Sequence, residues 1–198
     1  MALSTFVKIS SINNLSDARY CAGMGVDLIG FCMDKRHPNY VSPLQYKEIT
    51  GWVTGVKTVA EIEDCPIEEV LELLKEYKFN YLEVKNIEIL QKLSSLEKPF
   101  IYKLNINEMV SPPVHDHIHY YLVEGNNETF SKEEIRNIKE FSSKHSLIVS
   151  CGENKSIIKT LLNNTKIKGI ELKGGDEISP GLKDFDGLSE ILEMLEID

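Results

Sequence analysis

The feature that most constrains the fold is a rhythm. Eight short apolar runs recur along 198 residues, and amphipathic stretches separate them. The runs are Phe6 to Ile9, Leu28 to Cys32, Val56 to Ala60, Tyr81 to Val84, Phe100 to Leu104, Tyr120 to Val123, Leu147 to Ser150 and Gly169 to Leu172. Each is bounded by polar or glycine residues, as parallel strands buried on both faces are. Between them, Leu15 to Met24 follows a candidate N-cap at Asn14, carries Asp17 in its first turn and stops at Gly25. Pro66 precedes Ile67 to Tyr77, in which Ile67, Val70, Leu71 and Leu74 share one helical face. Ser131 caps a segment with Ile135, Ile138 and Phe141 on one side, and Asn154 caps Lys155 to Leu162. Leu188 to Leu195 is a terminal helix. Strand–helix alternation repeated eight times predicts an α/β fold, a closed (β/α)₈ barrel in one domain over residues 1–198. Such barrels usually need ~250 residues. The expected shortening falls around the fifth unit, where Pro112-Pro113 leaves little room for a helix.

Charge and cysteine usage narrow the partners. A net charge of −9 disfavours non-specific binding to nucleic acid or to an anionic membrane surface. Trp52 and the tyrosines are not interleaved with basic residues, so no base-stacking platform is expected. The acidic stripe Glu68, Glu69, Glu72 and Glu76 reads as a solvated helix face. Cys21, Cys32, Cys65 and Cys151 form no C-x-x-C pair, which predicts free thiols and a cytoplasmic setting. No apolar run has the length of a membrane span, and the N-terminus lacks the charged and apolar regions of a signal peptide.

The stretch Val7-Lys8-Ile9-Ser10-Ser11-Ile12-Asn13-Asn14-Leu15-Ser16-Asp17-Ala18 resembles the first strand and loop of the phosphoribosylanthranilate isomerase family of tryptophan biosynthesis. Gly30-Phe31, followed by Pro38-Asn39-Tyr40-Val41-Ser42-Pro43, is similar to that family's second-strand loop. Pro66-Ile67-Glu68-Glu69-Val70 resembles the start of its third helix, and Ile178 to Asp184 its Pro-Gly-x-Lys-Asp stretch. The resemblance implies an Amadori rearrangement of a phosphoribosyl amine. That reaction needs a general acid to open the sugar ring, a general base to take the C2 proton and an anion site for the phosphate, all at the C-terminal ends of barrel strands. No cofactor or metal is expected. The expected partners are a phosphorylated small molecule and, for assembly, a second copy of the chain.

The departures from the family pattern carry as much weight. The family's basic cysteine is replaced by Ser10. A hydroxyl is far less acidic than a thiol and is no base without a partner. Ser10 is therefore either a space-filling hydrogen-bond donor or part of an altered active site. At the end of the sixth run, direct register puts Val123 at the family's acid, with Glu124 one residue on and expected to face the other way. The substrate loop has Asn39 where the family has arginine, with Arg36 and Lys35 as candidate substitutes, and Glu83-Val84-Lys85 replaces a Gln-x-His pattern. Cys151, Gly152, Gly174 and Gly175 are the candidate phosphate-binding residues, with Lys173 helping and Glu153 and Asp176 opposing. Lys8 is a third candidate catalytic group, with a structural ion pair to a strand carboxylate such as Glu83 or Glu171 as its alternative. The readings left open are a family relative with weak or no isomerase activity, an active isomerase using Ser10, Glu124 or Lys8, and a non-catalytic binding or assembly barrel.

His115, His117 and His119 share a face if extended and would then suit zinc. They enter the sixth strand at the barrel's stability end, so a solvated histidine cluster is the plainer expectation.

Overall fold

A computed structural model describes residues 2–62, 65–125, 129–174, 177–179, 182–183 and 186–197, with the side chains of 177–179 and 182–183 excepted. Eight strands close in sequence order into one parallel barrel. They are β1 (Phe6–Ser10), β2 (Leu28–Cys32), β3 (Lys57–Ile62), β4 (Tyr81–Val84), β5 (Phe100–Asn105), β6 (Ile118–Glu124), β7 (Leu147–Ser150) and β8 (Gly169–Lys173). The seam is the β1–β8 ladder, paired from Phe6 and Gly169 through to Ser10 and Lys173.

The helices are α1 (Leu15–Gly23), α2 (Pro43–Thr50), α3 (Ile67–Glu76), α4 (Ile87–Leu93), α5 (Lys132–Ser142), α6 (Lys155–Asn164) and α7 (Asp186–Met194). Their starts follow local chemistry. Asn14 caps α1 by accepting from the Asp17 N–H, and Asn154 caps α6 by accepting from Ser156 and Ile157. Ser131 and Glu134 form a reciprocal capping box on α5. After β5 the place of a full helix is taken by a 3₁₀ turn, Ile106–Val110, which accounts for the expected shortening. Glu177–Ser179 and Leu182–Lys183 pair as a small antiparallel ribbon, β9 and β10, before α7.

Two apolar layers result from the alternation of side chains along each strand. An inner cluster of Leu28, Val59, Tyr81, Ile101, Leu122 and Ile148 fills the barrel's lower half. A larger outer cluster, which includes Val7, Ile9, Val84, Val123 and Val149, packs against the helices. In the upper half the inner positions change character. Lys8, Glu61, Glu83 and Glu171 are all buried there.

Candidate active site

The polar upper interior is organised around one ammonium. Lys8 Nζ lies 2.7 Å from Glu61 Oε1, 2.9 Å from Glu83 Oε2 and 2.5 Å from Glu171 Oε2. Lys8 and Glu171 are direct partners in the β1–β8 ladder, and Glu61 and Glu83 in the β3–β4 ladder. Glu61 must reach across β2 to meet Lys8, and Gly30 lets it pass: a Cβ there would stand 1.8 Å from Glu61 Oε1. The resemblance placed Gly30 in the second strand without giving it this purpose. Burial alone would pull the Lys8 ammonium down, but Glu171, Glu61 and Glu83 together hold its pKa well above the usual lysine range. Lys8 is thus a fixed cation in an ion-pair cluster rather than a neutral amine, the second of its two sequence-based readings. The three carboxylates could have formed a metal-ligand set, their oxygens lying within 4.8 Å of one another, but the Lys8 ammonium occupies that position.

Glu83 differs from its neighbours. Glu61 accepts from Lys8 and also from the Ser11 N–H at 3.0 Å, and Glu171 accepts from Lys8. Ser11 adopts a left-handed φ of 59° as it makes that bond. Glu83 Oε2 touches Lys8 but has no partner of hydrogen-bond geometry among the described residues. Burial first, with the neighbouring Glu61 and Glu171 charges, pushes the Glu83 carboxyl up to about 8 against the opposing pull of Lys8.

Above the cluster, at the C-terminal ends of the strands, a cavity of about 540 Å³ is lined by Ser10, Arg36, Glu83, Lys103, Glu124 and Lys173, among others. Ser10 is nearly buried, and its hydroxyl donates to the Leu172 carbonyl at 3.3 Å. Glu124 faces this cavity and pairs with Lys103 at 2.8 Å. This corrects the expected orientation of the β6 end. Leu122 belongs to the inner cluster, so Val123 points outward into the apolar layer and Glu124 returns to the mouth. Asp34 grips Arg36 through two side-chain bonds of 2.8 and 2.9 Å, which hold the Asp34 carboxyl down at about 2. Asn39 instead accepts from Asn13 at 3.2 Å.

A second cavity of about 730 Å³ adjoins the first and shares Glu124, Glu171 and Lys173 with it. Cys151, Gly152 and Gly174 line it, so the candidate anion residues do come together, while Gly175 and Asp176 lie outside the described residues. Gly152 turns the chain with a φ of 58°. The Gly174 N–H, however, donates to the Ser10 carbonyl at 3.0 Å and is not aimed at the cavity. The Cys151 thiol is buried and pushed up to about 12, chiefly by desolvation. The Glu153 carboxylate lies so close to Gly187, in the first turn of α7, that a Cβ there would be 1.9 Å from it. Lys85 lies outside the Ser10 mouth, beside a neighbouring cavity that also contains Lys103 and Glu124.

The sequence reading missed Glu61 and Lys103. The available signal was a single charge inside an otherwise apolar strand: Glu61 in Thr58-Val59-Ala60-Glu61-Ile62, and Lys103 in Phe100-Ile101-Tyr102-Lys103-Leu104. His115 and His117 stack at 5.4 Å, whereas His119 packs against Tyr81 and Tyr120. The three imidazoles form no joint ligand set among the described residues.

No family model matches the chain. It is 29% identical to the N-(5'-phosphoribosyl)anthranilate isomerase of Sulfurihydrogenibium sp., over 96% of this chain and 98% of that protein. It is also 29% identical to the enzyme of the same name from Aquifex aeolicus, over 94% and 96%. Its fold superposes on phosphoribosyl anthranilate isomerase from Thermotoga maritima with a TM-score of 0.74, covering 96% and 97% of the two chains at 20% identity. With the Pyrococcus furiosus protein the TM-score is 0.75 at 15% identity, over 96% of this chain and 97% of that one. The chain is thus related in sequence, along nearly its whole length, to phosphoribosylanthranilate isomerases, and it folds as solved structures of that family do.

Proposed function

We propose that the chain is a phosphoribosylanthranilate isomerase-type barrel that binds a phosphorylated sugar amine in its mouth and turns it over slowly or not at all. The observation that carries this reading is Ser10. By the resemblance it takes the place of the family's general-base cysteine, yet its hydroxyl donates to the Leu172 carbonyl and makes no hydrogen bond to a carboxylate or imidazole among the described residues. Loss of one general base costs about 10²–10⁴-fold in rate. Glu124 supports a residual reaction, because it brings a carboxylate to the mouth from β6. The phosphate would sit in the adjoining cavity by Gly152 and Lys173, weakly because the Glu153 carboxylate is close by.

The test is steady-state conversion of freshly made phosphoribosylanthranilate, followed by loss of anthranilate fluorescence. The expected turnover is at least ~10³-fold below that of an ordinary family member, with Ser10→Cys raising it at least ~10²-fold. Turnover at ordinary rates that Ser10→Ala abolishes would show instead that the serine is a working catalytic group.

A further inference from the structure

One ammonium and three carboxylates are buried together beneath the mouth. With every group ionised, the cluster would carry two uncompensated negative charges away from water, an arrangement that neutralises itself by binding protons. Geometry selects the carboxyl that takes one. Glu61 accepts hydrogen bonds from two donors and Glu171 accepts one from Lys8. Glu83 Oε2 finds no hydrogen-bond partner among the described residues, touching Lys8 off-axis, and Glu83 lines the cavity. The charged groups nearest it are Lys8 on β1, Glu61 on β3, Lys103 on β5 and Glu171 on β8. Glu124 on β6, Lys173 on β8, and Asp34, Arg36 and His37 from the loop after β2 complete the titratable and charged wall of the mouth above.

We propose that Glu83 is a proton donor of this mouth, its neutral carboxyl passing a proton to the ring oxygen of a phosphorylated sugar amine seated over the cluster. The assignment deepens the isomerase reading and rests on it. In the step, the Glu83 O–H bond breaks as an O–H bond forms on the ring oxygen. The C1–O bond breaks and its electron pair stays on that oxygen. The lone pair of the amine nitrogen forms the C=N bond of a protonated Schiff base. The carboxylate left on Glu83 lies beside the Lys8 ammonium, 2.9 Å away, which stabilises it. Glu124 at the same mouth is already paired with Lys103.

Two measurements on the whole protein test this. In the first, infrared difference spectroscopy between acid and alkaline buffer reads the protonated-carboxyl band. We expect a band present at pH 7 that titrates with a midpoint near 8 and is missing in Glu83→Gln. In the second, turnover of phosphoribosylanthranilate is compared between Ser10→Cys and Ser10→Cys/Glu83→Gln. The added substitution is expected to lower kcat at least ~10²-fold with little change in KM, and to remove the alkaline limb of the pH profile. A wild-type protein without the band at pH 7 overturns the proposal, and this arm needs no variant to fold. Equal turnover with and without Glu83→Gln overturns the donor role alone. A persistent band with no turnover in Ser10→Cys brings down the isomerase reading and the donor role together.

Discussion

Gly30 and Val123 are the two positions where a single side chain decides the site. A methyl at Gly30 would collide with the Glu61 carboxylate, which Lys8 and the Ser11 N–H hold in place. Gly30→Ala is therefore expected to destabilise the fold by about 1–3 kcal/mol or more, measured by urea unfolding. Val123 is fully buried in the outer apolar layer. Val123→Asp would put an uncompensated carboxylate there and is expected to cost about 3–5 kcal/mol without restoring activity. Direct matching to the family's motif pointed to Val123 as the acid position, and the strand's own alternation corrects it. The parity was present in the sequence, because Tyr120, Leu122 and Glu124 form one period-two series, but nothing local says which series faces inward. Glu61 was hidden for a related reason. A strand that changes from apolar to charged along its inner face looks, in sequence, like a strand that has ended.

At the scale of elements, legibility follows local chemistry. Strands β1, β2, β4, β5, β7 and β8 emerge nearly intact from their apolar runs, and α1, α5 and α6 from their caps. Helices α2 and α4 were passed over, being only eight and seven residues long, too short to show a clear apolar period. The β9–β10 ribbon was also unread; it falls on the stretch matched only as the family's Pro-Gly-x-Lys-Asp motif. The reciprocal capping box of α5 gives the clearest test at this scale. Ser131→Ala removes the acceptor for the Glu134 N–H and should cost about 1 kcal/mol in urea unfolding. A change of less than a few tenths would mean that tertiary packing, not the cap, fixes the start of α5.

For the molecule as a whole, the buried cluster sets how stability depends on pH. The Glu83 carboxyl is raised from 4.5 to about 8 on folding. Between those values the folded chain binds more protons than the unfolded one at this group, so its contribution to stability falls as pH rises through the window. Glu83→Gln should remove that decline and make the protein relatively more stable above pH 8, as read from denaturant midpoints at several pH values. The Lys8 ammonium acts in the same sense, but only at the alkaline end. Its raised pKa contributes stability that is present below the usual lysine range and lost only at strongly alkaline pH. The barrel closes without a full fifth helix and carries one cluster of charges inside, which composition alone does not reveal.

On the proposed reading, the mouth above this cluster is a binding site for a phosphorylated sugar amine. A reduced 1-(o-carboxyphenylamino)-1-deoxyribulose 5-phosphate is bound in one solved phosphoribosyl anthranilate isomerase that shares this fold. Calorimetric titration of that compound into the wild-type chain, and into a Lys173→Glu variant, is the most direct measurement. Binding of one molecule per chain is expected, weakened at least ~10-fold by the reversed charge, since a charge-assisted contact contributes about 1.5–3 kcal/mol and tenfold corresponds to about 1.4 kcal/mol. No heat of binding, or equal affinity in both proteins, would contradict it.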